Sequence, residues 1–225
     1  MRGKVQGDGQ LQADQAFQAL RSSLRAGQLR AGQFLSMPGL VEVLDFPIAA
    51  MRDAVKRAEV AGLVQVMPKR GVLVMNAGPV ETRNCMDARA ALDAEGARRR
   101  IAANRLDGLA ALIASHTAVL DEARQSPTPS LSPRAMQTDL SLHDYLAQGL
   151  DNPYLTDAYS ENRDRIAIVQ ASRPFLADRI VSAMEEHMAI LAALQAGDAA
   201  ACGAAIWRHH EQTLRWWGVT QPTTA

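Results

Sequence analysis

Cysteine is scarce: the 225 residues hold two, Cys85 and Cys202, and neither has a partner at C-x-x-C spacing. That excludes a disulfide framework and a thiolate zinc knuckle. Long hydrophobic runs are missing as well. No apolar stretch reaches the roughly 18 residues a membrane span needs, and the opening MRGKVQGDGQLQAD lacks the apolar core of a signal peptide. Heptads and internal repeats are absent, and the net charge is zero. A reduced, cytoplasmic protein is the expectation.

What is present is an ordinary globular composition, 48% hydrophobic and 21% charged, in a chain long enough for one or two domains. The charge is unevenly spread. Residues up to Ala77 carry ten Lys/Arg against six Asp/Glu, a net +4, and the remainder carries fourteen against eighteen, a net −4. A basic amino-terminal part followed by an acidic one fits a nucleic-acid module joined to something else.

Periodicity predicts the elements. Residues 1–13 are Gly- and Gln-rich and read as a flexible tail. Phe17, Leu20 and Leu24 make one face of a helix from Asp14 that Gly27 ends. Ser36 is a candidate N-cap for a brief helix to about Leu44, with Pro38 tolerated in its first turn. Pro47 opens a third helix whose buried face is Met51, Val55, Ala58 and Leu63, with Gly62 as its terminator. LVQVM and GVLVM then read as two strands joined by PKRG. Three helices and a hairpin with a basic tip is the order of a winged helix-turn-helix, predicted over 14–77. The third helix would enter the major groove, while Lys69 and Arg70 would meet phosphates. The residues expected at DNA are Ser36, Ala49, Ala50, Arg52, Lys56, Lys69, Arg70 and Gly71.

No convincing strand follows. Residues 78–225 predict a six-helix all-α bundle, interrupted by the loop SPTPSLSPR at 126–134. The fold class expected is therefore mainly α, a winged helix-turn-helix followed by a helical domain. Within TDLSLHDYL (138–146), Asp139 and His143 stand four apart, on one helix face with Cβ atoms about 5–6 Å from each other. His187 lies about ten residues before the Gly197-Asp198 turn and His209 about twelve after it, so an antiparallel pair would bring them level. His210 can replace His209 by sequence alone, and His116 has no obvious partner. Three imidazoles and a carboxylate suit a divalent metal, zinc first, with nickel, manganese or iron as alternatives. Asp144, Glu185 and Glu186 read as solvated surface.

These stretches, RDAVKRAEVAGLVQVMPKRG (52–71), RAALDAEGARR (89–99), DLSLHDYLAQGLDNPYL (139–155) and EEHMAILAALQAGDAAACGAAIWRHH (185–210), resemble the GntR family of bacterial transcription regulators, in the FadR-like branch with a VanR-type helical effector domain. The resemblance covers about residues 14–217. It implies a metal held by Asp139, His143, His187 and His209, and it places the family's last ligand on His209 rather than His210. It also implies an arginine, Arg89, meeting an anionic effector, for which a guanidinium is suited by its paired donors. The DNA-binding half departs from the family pattern: its usual arginines fall on Pro38 and Ile48, and only Arg52 remains, which should alter operator preference.

The function expected is a homodimeric DNA-binding regulator. A small carboxylate effector beside the metal would modulate its affinity for a double-stranded operator. The alternatives are a metal-dependent enzyme using the same three-His, one-Asp site, and a structural ion that staples the bundle. Trp207, Trp216 and Trp217 would line a pocket or a dimer seam, or belong to the core.

Overall fold

Local capping decides where the first helices begin and end. In the computed structural model, which describes residues 3–125, 128, 130–173 and 175–219, α2 spans Met37–Leu44 after β1, Phe34–Leu35, and the first helix α1, Gly3–Arg25. The Ser36 hydroxyl accepts from the Gly39 N–H at 3.1 Å, satisfying one of the donors a helix start leaves open. The third helix, α3, runs Ile48–Val60. At its end Gly62 takes φ +69°, while Gly62 N–H donates to the Glu59 carbonyl and Leu63 N–H to the Ala58 carbonyl.

The predicted hairpin is β2 (Val64–Met67) and β3 (Gly71–Val74), in register from Val64↔Val74 to Met67↔Gly71. A third strand joins it. β1 pairs antiparallel with β3 to give the order β1-β3-β2. At two residues, β1 is too short to show an alternating pattern in the sequence. Gly71 is required by this pairing, because a Cβ there would sit 2.3 Å from the Leu35 carbonyl oxygen.

The first compact unit consists of residues through Thr82 together with Glu161–Arg173. Its core is Leu20, Leu24, Leu40, Met51, Val55, Ala58 and Leu63, joined by Ile168. Each large side chain buried in this way contributes about 1.5–3 kcal/mol. Buried Asp164 accepts from Arg21 Nε at 2.6 Å and from Arg25 Nε, one turn apart on α1. The segment 161–173 thus belongs with the amino-terminal unit, which no local pattern announced.

α1 begins at Gly3, not Asp14. The reading that began it at Asp14 relied on apolar spacing. Once Ala16, Leu20 and Leu24 are packed, extending a formed helix costs little, and the Gln residues upstream are good helix formers.

The second unit, Arg83–Ser160 with residues 174–225, holds the rest of the helices: α4 (Pro79–Ala102, counted here from Arg83), α5 (Leu109–Gln125), α6 (Leu131–Ala147), α7 (Pro153–Ala171, to Ser160), α8 (Ala177–Ala196) and α9 (Ala199–Trp216). Residues 126, 127 and 129 of the expected loop fall outside the described residues. The loop is shorter than expected, since α6 starts at Leu131 and accommodates Pro133 in its first turn, where backbone N–H groups lack helical partners. Gly197, at φ +70°, stops α8, and the Asp198 carboxylate caps α9 by accepting from Ala201 N–H at 2.9 Å.

α4 passes close to the end of α6. A Cβ on Gly96 would lie 2.2 Å from the Leu146 carbonyl oxygen, and one on Gly149 would lie 2.3 Å from the Gly96 carbonyl oxygen. Beside this contact Arg100 donates to the Tyr145 carbonyl at 2.7 Å and to Gln148 Oε1 at 3.0 Å. Because the obstacle is backbone, Gly96→Ala is expected to cost at least about 1–3 kcal/mol, the range for overpacking. A thermal or urea unfolding midpoint equal to that of the unaltered protein would contradict the close approach.

Candidate metal centre

Three helices of the second unit supply one cluster. α6 contributes Asp139 and His143 on a single face, α8 contributes His187, and α9, folded back by the Gly197-Asp198 turn, contributes His209. One ligand atom from each of the four lies within 4.8 Å of all the others, and all four residues are buried. His187 Nε2 stands 3.3 Å from His209 Nε2 and 3.5 Å from an Asp139 carboxylate oxygen. The expected set converges. His210 is engaged elsewhere, its Nε2 2.6 Å from the Asp87 carboxylate.

The donor set fits a late first-row divalent ion. It offers borderline imidazole nitrogens and one hard oxygen, with no thiolate. His143 Nε2 is buried and has no hydrogen-bond partner among the described residues. The outward ring nitrogens are also organised. His143 Nδ1–H donates to Asp93 at 2.7 Å, and His209 Nδ1–H donates to Glu186 at 2.6 Å. Each bond leaves the Nε2 lone pair for coordination, the arrangement in which a carboxylate fixes a ligand histidine's tautomer and ring orientation. Arg179 holds Glu186 in turn through both guanidinium nitrogens, at 2.8 and 3.1 Å, and donates to Thr213 Oγ1 at 2.7 Å.

Asp93 and Glu186 were missed by the sequence reading. Glu186 is not solvated surface: its side chain is 15% exposed and doubly engaged. Asp144 accepts from the Tyr159 hydroxyl, whereas Glu185 is exposed and pairs with Arg124. The available signal for Asp93 was its position one helical turn after Arg89. Arg89 itself lies inside the second unit, not on its surface. It is 4% exposed, and its Nη1 has no hydrogen-bond partner among the described residues.

The residues expected at DNA separate by burial. Ser36, Ala49, Arg52, Lys56, Lys69 and Arg70 are exposed, and Gly71 is half-buried in the wing. Ala50 is 6% exposed and packs in the core, so it cannot touch a base. Its position follows from helical geometry: it shares the face of Met51 and Ala54 rather than that of Ala49 and Arg52. Trp207 and Trp216 are exposed, and Trp217 packs partly against Met86, Leu214 and Val219.

Burial dominates the titration of the cluster. It pushes His143 and His187 well below the usual histidine value and lowers His209, His116 and His210 too. Burial raises Asp93 to about 7, against the lowering charges of Arg89 and His209. Asp139 also suffers burial, but His143, Arg89, His209 and Arg179 together hold it below the ordinary carboxylate value. The imidazoles are therefore neutral, ligand-ready bases at pH 7.

Lowered histidine pKa values mean that, below about pH 6.5, the unfolded chain binds protons the folded chain refuses, so stability falls on acidification. Asp93 acts oppositely between its unfolded value and about 7, but five histidines outweigh it. Urea unfolding of chelator-treated protein is expected to show a lower midpoint at pH 5.5 than at pH 7.5. A midpoint that rises on acidification would contradict the burial of the imidazoles in neutral form.

Comparison with known proteins agrees with both units. Residues 12–74 match the family model described as bacterial regulatory proteins, gntR family, and residues 84–212 match the FCD domain. No curated protein matches. Among solved structures, McbR/YncC of E. coli is similar with a TM-score of 0.73 at 17% identity, over 91% of this chain and 96% of that one. A GntR transcriptional regulator from Rhodococcus sp. RHA1 gives 0.71 at 20% identity, over 93% and 99%. Lar, which controls expression of the Listeria monocytogenes agr system, gives 0.58 at 11%, over 92% and 97%. At such identities the likeness is one of fold. The two family matches carry the assignment: the chain belongs to the GntR family of bacterial transcription regulators, with an FCD effector domain.

Proposed function

We propose that this regulator senses a small organic acid at a zinc ion held by Asp139, His143, His187 and His209, and that the acid alters its affinity for an operator. The observation that carries the reading is Arg89: a buried guanidinium with an unpartnered Nη1, in the same unit as the four-residue cluster. A buried cationic donor without an acceptor is costly, and a carboxylate satisfies it. When bound, the ion supplies a Lewis-acidic position for a second oxygen of the same ligand. Arg89 binds and orients the anion, while Asp93 and Glu186 keep the ligand histidines in register.

Winged helices of this kind act as dimers on pseudo-palindromic double-stranded sites. A homodimer of this chain, placed in the cytoplasm where its operator is, is the form proposed to bind DNA. The effector acts by favouring one of two conformations, and it shifts binding only as far as its affinities for the two differ.

The metal-dependent enzyme takes one point of support, a buried carboxyl at Asp93 titrating near 7. That carboxyl is committed to His143 Nδ1, which removes it as a free general base. Regulation is the better reading.

Two measurements test it. Short carboxylic acids added to zinc-loaded protein are expected to raise its melting temperature, and Arg89→Ala is expected to abolish the rise while zinc content stays at one per chain. A rise that survives in Arg89→Ala would remove the arginine from the reading. For DNA, selection from a randomised duplex pool followed by anisotropy at fixed salt is expected to yield a specific site. Replacing the exposed Arg52 by Ala should weaken binding to that site by about 1–3 kcal/mol, the worth of one bidentate base contact. Equal binding to selected and scrambled duplexes would refute sequence-specific recognition.

A further inference from the structure

Resting on the metal reading above, we infer that His116 is a positioning residue for the metal centre, the acceptor that fixes the tautomer of His187. His116 belongs to α5, which contributes no ligand to the cluster. It is nonetheless fully buried, and its ring centre lies 5.3 Å from that of His187, with the planes tilted by 51°.

The hydrogen bonds around the cluster leave one place open. Of the three ligand histidines, His143 and His209 each spend Nδ1–H on a carboxylate. His187 does not: its Nδ1 is buried and has no hydrogen-bond partner among the described residues. Coordination through Nε2 puts the His187 proton on Nδ1, making that atom a donor in need of an acceptor. A buried N–H left unmatched is a cost that structures rarely tolerate.

His116 is complementary. Its Nδ1 lies 2.8 Å from the Leu112 carbonyl oxygen, one turn back on α5. A carbonyl only accepts, so the His116 proton is on Nδ1 and Nε2 is a bare lone pair. That Nε2 is likewise buried without a hydrogen-bond partner among the described residues. The two atoms are not bonded to each other in this structure, since both lack a partner among the described residues, but the rings are neighbours with centres 5.3 Å apart, a separation from which a side-chain adjustment makes an N–H···N bond. With that bond made, the chain Leu112 carbonyl, His116, His187 would do for the third imidazole what Asp93 and Glu186 do for the other two.

The test uses the full-length protein and cobalt(II), whose visible absorption reports donor strength and geometry, with affinity read by competition against a chromophoric chelator. His116→Leu is expected to weaken cobalt binding 10- to 100-fold, the range for losing such a partner, and to shift the visible bands. His116→Gln, whose amide oxygen can accept, is expected to recover most of the affinity and the wild-type spectrum. Unchanged affinity and spectrum in His116→Leu would overturn the assignment. So would a loss that Gln does not restore and that leaves the spectrum alone, since this marks plain packing.

Should His116→Leu fail to fold, nitrogen-15 NMR of the unaltered zinc protein decides. A slowly exchanging His187 Nδ1–H signal with His116 Nε2 unprotonated supports the bond, and a proton on His116 Nε2 excludes it. Failure of the unaltered protein to take up cobalt or zinc would instead bring down the metal reading itself, and this inference with it.

Discussion

The helical unit depends on a concentration of polar groups that no apolar bundle would tolerate without mutual satisfaction. Asp139, His143, His187, His209, Asp93, Arg89 and His116 are all buried. Taking such groups out of water is expensive unless each finds a partner. The solution is a set of fixed pairings, imidazole to carboxylate and carboxylate to guanidinium, around atoms that converge on one point. Leu142, Leu146, Ile190, Leu191 and Ile206, from the same helices α6, α8 and α9, pack together in one apolar cluster of this unit. Pairings between fixed atoms of this kind favour one alignment of the helices over its neighbours.

Much of this was legible in the chain. The i, i+4 spacing of Asp139 and His143 and the symmetric distances of His187 and His209 from a Gly-Asp turn are consequences of helix geometry, and they survive in three dimensions. The capping of α2 by Ser36 and the termination of α3 at Gly62 were readable for the same reason: both are decided by atoms a few residues apart. What escaped was decided at long range. Asp93 is charged and lies on a helix, and nothing local separates a carboxylate that reaches an imidazole fifty positions later from one that faces solvent. Glu186 follows another glutamate, and only the fold makes one exposed and the other bound. Residues 161–173 fold with the amino-terminal unit through Asp164 and Ile168, and β1 is too short to carry a pattern.

The helix α3 has a different character from the second unit. Its buried side, Ala50, Met51, Ala54, Val55 and Ala58, is continuous and unremarkable. Its exposed side carries Ile48, 44% exposed, and Ala49 ahead of Arg52, Asp53 and Lys56. Apolar side chains at the tip of a helix that enters the major groove meet the thymine methyl group, whereas arginine there meets guanine.

That substitution of hydrocarbon for charge reaches beyond base preference. Protein–DNA affinity weakens with added electrolyte in proportion to the number of phosphate charges neutralised. If the exposed side chains Pro38 and Ile48 face the duplex, they would displace no counterions there, and a surface with fewer cations would hold arbitrary sequence less tightly and respond less steeply to salt.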